Sequence, residues 1–177
     1  TATVGAGLHY GREILGATRN HLDSWAFAFD FRVPVQTRLI LRGEGYLGSN
    51  LIPFQGGIDQ GVAAIPTNAP FTRFQKIGDG GGWAELTVRM TTDDKNHLYF
   101  GFGTDDPKDK NLLPGSTKEK NTFYWASYLH KLTNELTVIA EWSNWQFHTT
   151  GFTGNVPGIK ANKGRANVFN VSFGYSF

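Results

Sequence analysis

Strict alternation of apolar and polar residues is the feature that most constrains this chain. The pattern fills segments of about ten residues and returns about eight times along the 177 residues. In the clearest segment, one parity is occupied by Trp25, Phe27, Phe29, Phe31 and Val33. A period of two residues belongs to an extended strand, because successive side chains point to opposite faces of a sheet. The sequence therefore predicts an all-β protein, folded as a single domain over residues 1–177.

The remaining segments extend the pattern to eight predicted strands. Their apolar parities run through Ala2–Tyr10, Leu39–Leu47, Ala84–Met90, Leu98–Phe102, Leu136–Trp142 and Phe169–Phe177. Residues 122–132 are apolar on both parities, and we predict that Tyr124, Ala126 and Tyr128 point outward with the apolar face. Strands that follow one another along a chain favour antiparallel, up-and-down neighbours.

The predicted connections alternate between long and short. The short ones carry turn-forming residues, at Pro34–Gln36, Asp93–Asn96 and Thr133–Asn134. The long ones include the first, residues 11–23, and then Gly48–Gly82 and Asp105–Asn121. This alternation is typical of up-and-down barrels with one tightly turned end. A connection as long as Gly48–Gly82 is expected to fold over or into the protein, since idle loops of that length are uncommon.

Composition excludes several classes of function. The chain has no cysteine, which rules out disulfides, thiolate catalysis and zinc sites that need sulfur. Its net charge of +2 gives no sign of a nucleic-acid partner. The histidines are scattered, and the sequence predicts neither a metal site nor a cofactor. His21, Asp23 and Ser24 have the residue types of a hydrolase, but neighbours in sequence rarely form a catalytic constellation, so we predict no enzyme.

Two features indicate which face of the predicted sheet is wet. Charged residues make up only 18% of the chain, and the polar parity mixes them with Gly, Ser and Ala, where a soluble barrel would carry longer charged side chains. The apolar parity is rich in rings near strand ends, among them Tyr10, Trp25, Trp142 and Tyr175. Such rings suit the aromatic girdles where a bilayer meets water, and they favour an apolar face turned to lipid. A soluble β-barrel or sandwich with an aromatic core is the alternative.

The last nine residues of the sequence alternate in the same way. Phe169, Val171, Phe173, Tyr175 and Phe177 occupy one parity. This segment resembles the C-terminal signature strand of bacterial outer-membrane β-barrels. The resemblance implies that these five residues face the membrane and that the barrel assembly machinery reads the alternating residues and the final aromatic ring.

Four internal stretches carry a second resemblance. They are Gly45–Gly48, Gly56–Val62, Gly81–Leu86 and Gly101–Pro107. Together they resemble the C-terminal region of larger Gram-negative porins, such as the DcaP-like porins. The resemblance implies that the eight strands form the C-terminal half of a transmembrane barrel of about sixteen strands, a size that leaves an aqueous channel.

These resemblances imply a place in the bacterial outer membrane. Both termini and the short turns are then periplasmic, and the long loops are extracellular. The expected partners are outer-membrane lipid, lipopolysaccharide, small hydrophilic solutes and further copies of the chain in a homotrimer. Basic residues of the long loops would bias the outer mouth toward anions or contact lipopolysaccharide phosphates; they are Lys108, Lys110, Lys118, Lys120, Lys160, Lys163 and Arg165.

Charged residues on the polar parity form the candidate site. They are Arg38, Arg42, Glu44, Glu85 and Arg89 on the third and fourth predicted strands, with Glu141 on the seventh. In a narrow eight-stranded barrel they would form a packed salt-bridge network without a pore. In a wide barrel they would line water and screen solutes by charge.

Two functions follow from this pattern, and the number of strands in the barrel decides between them. The first is a porin segment that allows passive diffusion of small hydrophilic solutes, with the Gly48–Gly82 connection as a constriction. The alternative is a complete eight-stranded outer-membrane barrel, which has a structural or surface-binding role through its long extracellular loops.

Overall fold

The computed structural model of the chain describes residues 1–15, 20–52, 58, 60–65, 73–112, 118–149 and 163–176. Ten strands lie in these ranges: β1 Thr3–Leu15, β2 Asn20–Gln36, β3 Leu39–Ser49, β4 Val62–Ile65, β5 Arg73–Lys76, β6 Gly78–Arg89, β7 Asn96–Pro107, β8 Lys120–Lys131, β9 Leu136–His148 and β10 Lys163–Tyr175. One 3-10 turn, Asp109–Asn111, follows β7. The prediction of an all-β protein with eight antiparallel strands in one sheet is confirmed. The structure also contains a separate two-stranded hairpin, β4-β5, that was not predicted.

The large sheet has the order β1-β2-β3-β6-β7-β8-β9-β10, and every neighbouring pair is antiparallel. Strands β4 and β5 pair only with each other, as an insertion between β3 and β6. Strands β1 and β10 form the two edges of the large sheet, and the sheet is not closed. A complete eight-stranded barrel would need these two edges to pair.

The connections alternate in length as predicted, with one exception. Residues 37–38, 90–95 and 132–135 join strands at one end of the sheet, and residues 50–77, 108–119 and 149–162 join them at the other. The first connection was expected to be long, but only residues 16–19 separate β1 from β2. The hydrolase-like residues His21, Asp23 and Ser24 therefore all belong to β2.

The register places the apolar parity of all eight strands on one face, called the apolar face below. Residues that lie directly opposite each other in a ladder share a face. Phe102 of β7 lies opposite Tyr124 of β8, and Phe100 lies opposite Ala126. The undecided strand β8 therefore turns Tyr124, Ala126 and Tyr128 to the same face as Phe100. The other parity, which includes Glu85, forms the polar face.

A run of glycines extends β6 beyond its predicted start. Residues 78–82 were expected to belong to the long connection, but they pair with both β3 and β7. A Cβ atom at Gly82 would lie 2.4 Å from the carbonyl oxygen of Glu44, and one at Gly81 would lie 2.5 Å from the hydroxyl of Tyr46. The glycines therefore supply the space for these close approaches between strands.

The small apolar core lies at the end of the sheet that carries the long connections. Among the described residues, four of the five buried apolar side chains lie there: Leu22 at the start of β2, and Leu51, Ala63 and Ile77 in the long connection. The fifth, Ile40, lies near the short-turn end of β3. The backbone N–H of Asn50 donates a hydrogen bond of 2.9 Å to the backbone carbonyl of Ile77. This bond joins the two ends of the connection between β3 and β6. The connection between β3 and β6 thus packs against the sheet, in line with the expectation that it would not be idle.

Candidate functional site

A buried carboxylate occupies the centre of the polar face. Glu85 on β6 is only 6% exposed. Its Oε1 accepts hydrogen bonds of 2.8 Å from both Nε and Nη2 of Arg42 on β3. Its Oε2 accepts one of 3.1 Å from the indole nitrogen of Trp125 on β8. A buried carboxylate is tolerated when its oxygens are paired in this way, so the three strands are tied together at this point.

Rings pack around this centre on the polar face. The ring of Trp125 lies over Gly101 of β7, and the ring of Phe123 lies over Gly103. Trp145 of β9 stacks on Phe123, with the ring centroids 4.7 Å apart and the planes 15° from parallel. Sequence reasoning missed this cluster because it assigned rings to the apolar face. One signal in the sequence could have revealed the cluster. Gly101 and Gly103 lie on one parity of β7, and Trp125 and Phe123 lie opposite them on one parity of β8.

An open recess of about 430 Å³ lies beside the buried carboxylate. Four of the six predicted lumen residues line it together: Arg42, Glu85, Arg89 and Glu141. Glu141 accepts a hydrogen bond of 2.8 Å from the hydroxyl of Ser127, so β8 and β9 are linked on this face as well. The structure therefore brings charged groups from three strands, β3, β6 and β9, to one surface.

The other two predicted lumen residues lie outside the recess. Arg38 was expected within the third strand, but it lies in the turn at residues 37–38 and is exposed. Its carbonyl accepts the amide of Arg89 at 2.8 Å, so its backbone closes the ladder where β3 begins. Glu44 is exposed on β3, where it lies opposite Asp30 of β2.

Arginines give the recess its local excess of positive charge. Arg32 of β2 lies directly opposite Arg42, and both line the recess together with Arg89. Like charges in directly opposed positions repel each other, and water reduces that cost. The side chains of Arg42 and Arg89 are 47% and 40% exposed, so the guanidinium groups reach solvent. The polar face therefore presents exposed positive charges around a buried carboxylate.

A second ionic cluster lies at the end of the sheet that carries the short turns. Asp94, in the turn between β6 and β7, lies 3.2 Å from Lys131 Nζ and 2.8 Å from His97 Nε2. The hydrogen bond from Lys131 is the main cause that lowers the pKa of the Asp94 carboxyl, and His97 adds to it. The cluster also includes Arg89, whose Nε lies 3.5 Å from Asp94. It ties β6, β7 and β8 together below the recess.

The long connection reaches the polar face at the opposite end. The amide of Ile58 donates a hydrogen bond of 2.9 Å to Asp105 of β7, and its carbonyl accepts one of 3.0 Å from Lys118. Ile58 has a φ of 50°, a left-handed backbone that is costly for a β-branched residue. These two contacts hold the strained residue in place. Residues 53–57, 59 and 66–72 of the predicted constriction, Gly48–Gly82, lie outside the described residues.

The apolar face is exposed even on strands that have neighbours on both sides. Phe29, Leu47 and Phe100 are 46%, 47% and 47% exposed. On the edge strand β10, the predicted membrane-facing residues Phe169, Val171, Phe173 and Tyr175 are at least 65% exposed. Phe177 lies outside the described residues. Nothing within the described chain covers this face.

A polar boundary ends the apolar face toward the long connections. An Arg12–Asp23 pair at 3.1 Å marks it on β1 and β2, and a Lys120–Asp106 pair at 2.6 Å marks it on β7 and β8. On β9 and β10 the side-chain amides of Asn144 and Asn167 hydrogen-bond at 2.8 Å. Below these residues the face is almost entirely aromatic and aliphatic.

The described residues contain neither a metal cluster nor a membrane-spanning helix. There, no cluster of three or more His, Asp or Glu side chains is arranged to hold a metal ion. In the same ranges, no helix has the length and apolar character to cross a membrane. No family model, curated protein or solved structure matches this chain.

Proposed function

We propose that the chain is a segment of a bacterial outer-membrane β-barrel whose polar face lines a channel for small hydrophilic solutes. One observation carries the proposal: the same eight strands present an exposed apolar face on one side and, on the other, an open recess lined by exposed arginines. A soluble sheet would cover such an apolar face with a second layer. A bilayer covers it with acyl chains.

The length of the apolar face fits a bilayer. On β2 it runs from Trp25 to Val33, which is about 26 Å along the strand at about 3.3 Å per residue. Transmembrane strands use about 9–11 residues tilted by about 45°, and the nine residues from Trp25 to Val33 reach the lower end of that range. The rings Tyr10 and Trp25 lie opposite each other at the polar boundary, where aromatic girdles occur.

The open edges favour a barrel larger than eight strands. In hydrocarbon, each unpaired backbone group costs several kcal/mol, so β1 and β10 each need a partner strand. In the proposal, strands from outside this sequence supply those partners and complete a barrel of about sixteen strands, which encloses water. The short turns then face the periplasm and the long connections face the exterior, with assembly by the barrel machinery and a homotrimer as part of the same proposal.

Transport in this proposal is passive and involves no covalent chemistry. The exposed guanidinium groups of Arg42 and Arg89 and the carboxylate of Glu141 stand along the water path. Fixed charges of both signs in a narrow path select solutes by their charge and dipole. The contacts of Ile58 with Asp105 and Lys118 narrow the path at its outer end, which is the role proposed for the long connection.

Conductance in planar lipid bilayers tests the channel. We expect discrete current steps from the complete barrel that contains this chain. In that barrel the variant Glu85→Gln should move the reversal potential in a potassium chloride gradient toward anion selectivity, because it removes a negative charge from the recess. Arg12→Gln, on the apolar-face parity outside the path, is the matched control and should leave the reversal potential unchanged. A protein that inserts into the bilayer without current steps would contradict the channel and favour a structural or surface-binding barrel.

A further inference from the structure

Four rings form a continuous strip on the polar face, called the ring strip below. Trp83 of β6, Phe123 of β8 and Trp145 of β9 lie in one row of opposed residues, with Gly103 of β7 between the first two. Trp125, two residues nearer the short turns on β8, is the fourth ring. Its centroid lies 6.4 Å from that of Trp83 and 5.4 Å from that of Phe123. Phe123 and Trp145 follow at 4.7 Å.

Glycines of β7 make the strip continuous. The ring of Trp125 occupies the place where a Cβ atom at Gly101 would stand, and the ring of Phe123 does the same at Gly103. A side chain at either position would push these rings away from the sheet. Because β7 carries only hydrogen there, rings of β6 and β8 reach the usual spacing of aromatic pairs across an intervening strand.

The strip leaves ring surface exposed on the polar face. Trp145 is 38% exposed, and Phe147, two residues further along β9 on the same face, is 48% exposed. At the other end, Trp125 lines the recess beside Glu85 together with Arg42. Exposed apolar patches with a polar rim are typical of binding sites. The strip therefore runs from a charged recess to exposed rings.

Polar groups at the recess end have bonding capacity beyond their present contacts. The guanidinium of Arg42 lies over the ring of Trp83, 5.9 Å from its centroid, and the side chain is 47% exposed. Its Nε and Nη2 bind Glu85, and the two N–H groups of Nη1 lie outside that pair. Glu141 accepts the hydroxyl of Ser127 at Oε2, and a carboxylate has a second acceptor oxygen. A donor and an acceptor thus line the same recess.

This combination of groups selects a class of solute. The proposed channel passes hydrophilic solutes, yet this part of its wall is aromatic. A sugar meets both conditions, because its ring has hydroxyl groups around the rim and C–H groups on its faces. The C–H groups pack against the negative faces of aromatic rings, and the hydroxyls bond to guanidinium and carboxylate groups. An ion without such an apolar face would gain nothing from the strip.

We propose that the ring strip binds neutral sugars, and that successive rings make it a site for linear oligosaccharides. One sugar unit lies on Trp145 and Phe123. The next lies on Trp125, with its hydroxyls at Arg42 and Glu141. The inference rests on the proposed function, since it places the strip on the wall of a channel, where binding must stay weak enough for release.

Block of the ion current by sugar tests the site. The complete barrel that contains this chain is placed in a planar lipid bilayer. It is titrated with maltotriose, with a polyethylene glycol of the same hydrodynamic size, and with nicotinamide as a flat aromatic solute. We expect maltotriose to interrupt the current at a concentration at least about tenfold lower than the other two, a difference of about 1.4 kcal/mol.

Two tryptophans of β9 provide matched variants. Trp145 and Trp142 are both 38% exposed, and they lie on opposite faces of the sheet. Trp145→Leu should raise the half-blocking concentration of maltotriose at least about tenfold, whereas Trp142→Leu should leave it unchanged. Trp145→Phe keeps a ring and should retain most of the binding. Current steps from each variant report that its barrel has assembled.

The remaining outcomes each overturn the sugar site. Equal block by polyethylene glycol would show a filter for size alone, and stronger block by nicotinamide would show a site for flat aromatic solutes. Equal maltotriose block in Trp145→Leu and Trp142→Leu would exclude the ring strip as its site.

Failure of this inference can be told apart from failure of the channel. If the barrel conducts and maltotriose does not block it, only the sugar site fails. If no current appears, the channel fails, and tryptophan fluorescence of the barrel in detergent decides the sugar site. We then expect saturable maltotriose binding that Trp145→Leu weakens and Trp142→Leu does not, and an absence of binding would overturn the site.

Discussion

Arginine substitution at Phe100 probes the apolar face at mid-depth. Phe100 lies between Leu98 and Phe102 on β7, in the middle of the apolar stretch of that strand. The residue is 47% exposed. In a bilayer, a guanidinium at this position must enter hydrocarbon or distort the lipid around it. In water, the same substitution would only exchange an exposed ring for an exposed charge.

The expected cost can be assembled from two parts. Arginine on the lipid face near the bilayer midplane costs about 2–4 kcal/mol. Loss of the half-buried ring adds about 1 kcal/mol, roughly half the value for a fully buried phenylalanine. Phe100→Arg should therefore destabilise the protein by about 3–5 kcal/mol. Thr104→Arg, four residues along the same strand at the polar boundary, should cost only about 0–1 kcal/mol.

Urea unfolding from lipid vesicles, followed by tryptophan fluorescence, measures the two costs in one assay. The difference in free energy of unfolding between Phe100→Arg and Thr104→Arg isolates the effect of depth in the bilayer, because both variants place an arginine on the same face of β7. Equal free energies of unfolding for the two variants would refute the lipid-facing assignment. A Phe100→Arg variant that folds in buffer without lipid would refute it as well.

Three further predictions concern the polar face and its turns. Glu85→Gln should lower the free energy of unfolding by about 1–2 kcal/mol, less than the loss of a fully buried ion pair, because Arg42 is half exposed. Chemical denaturation measures this change, and an unchanged midpoint would contradict the Arg42–Glu85 pair. Because the pKa of Asp94 is lowered in the folded state, its stabilisation is complete above its unfolded pKa of about 4 and is lost as pH falls through the folded value. Asp94→Asn should therefore flatten that acid limb of the stability curve, and an unaltered limb would argue against the turn cluster. Gly101→Ala should lower the free energy of unfolding by about 1–3 kcal/mol, because its Cβ would lie 1.9 Å from the ring of Trp125. Gly7→Ala is the control and should be nearly neutral, since no atom lies within 4 Å of its Cβ. Similar denaturation midpoints for the two variants would show that the Trp125 ring does not pack on Gly101.

The strands were readable from the sequence because their period follows from backbone geometry. A side chain in a strand alternates between faces regardless of its neighbours, so Trp25, Phe27 and Phe29 could be assigned together. The facing of β8 was harder, because Trp125 and Tyr124 are both aromatic. Pairing with β7 decides it, and that register is a property of two strands, not of one.

The sequence was less informative where glycine is concerned. Residues 78–82 were predicted to belong to the long connection, but they pair with β3 and β7 as part of β6. Glycines suit these positions because Tyr46 and the carbonyl of Glu44 leave no room for a side chain there. In the same way, Gly101 and Gly103 create space for rings on the polar face. Arg38 was misassigned for a simpler reason: the end of a strand shifts easily by one residue, which here moves the side chain into a turn.

Spin labelling along β9 tests the central claim most directly. The chain has no cysteine, so single cysteines can be placed one at a time at residues 138–143 of the protein in lipid vesicles. We predict that labels at Val138, Ala140 and Trp142 collide mainly with oxygen dissolved in lipid, and that labels at Ile139 and Glu141 collide mainly with a water-soluble nickel chelate. Nickel access at Val138, Ala140 and Trp142, or no alternation along the strand, would contradict the account.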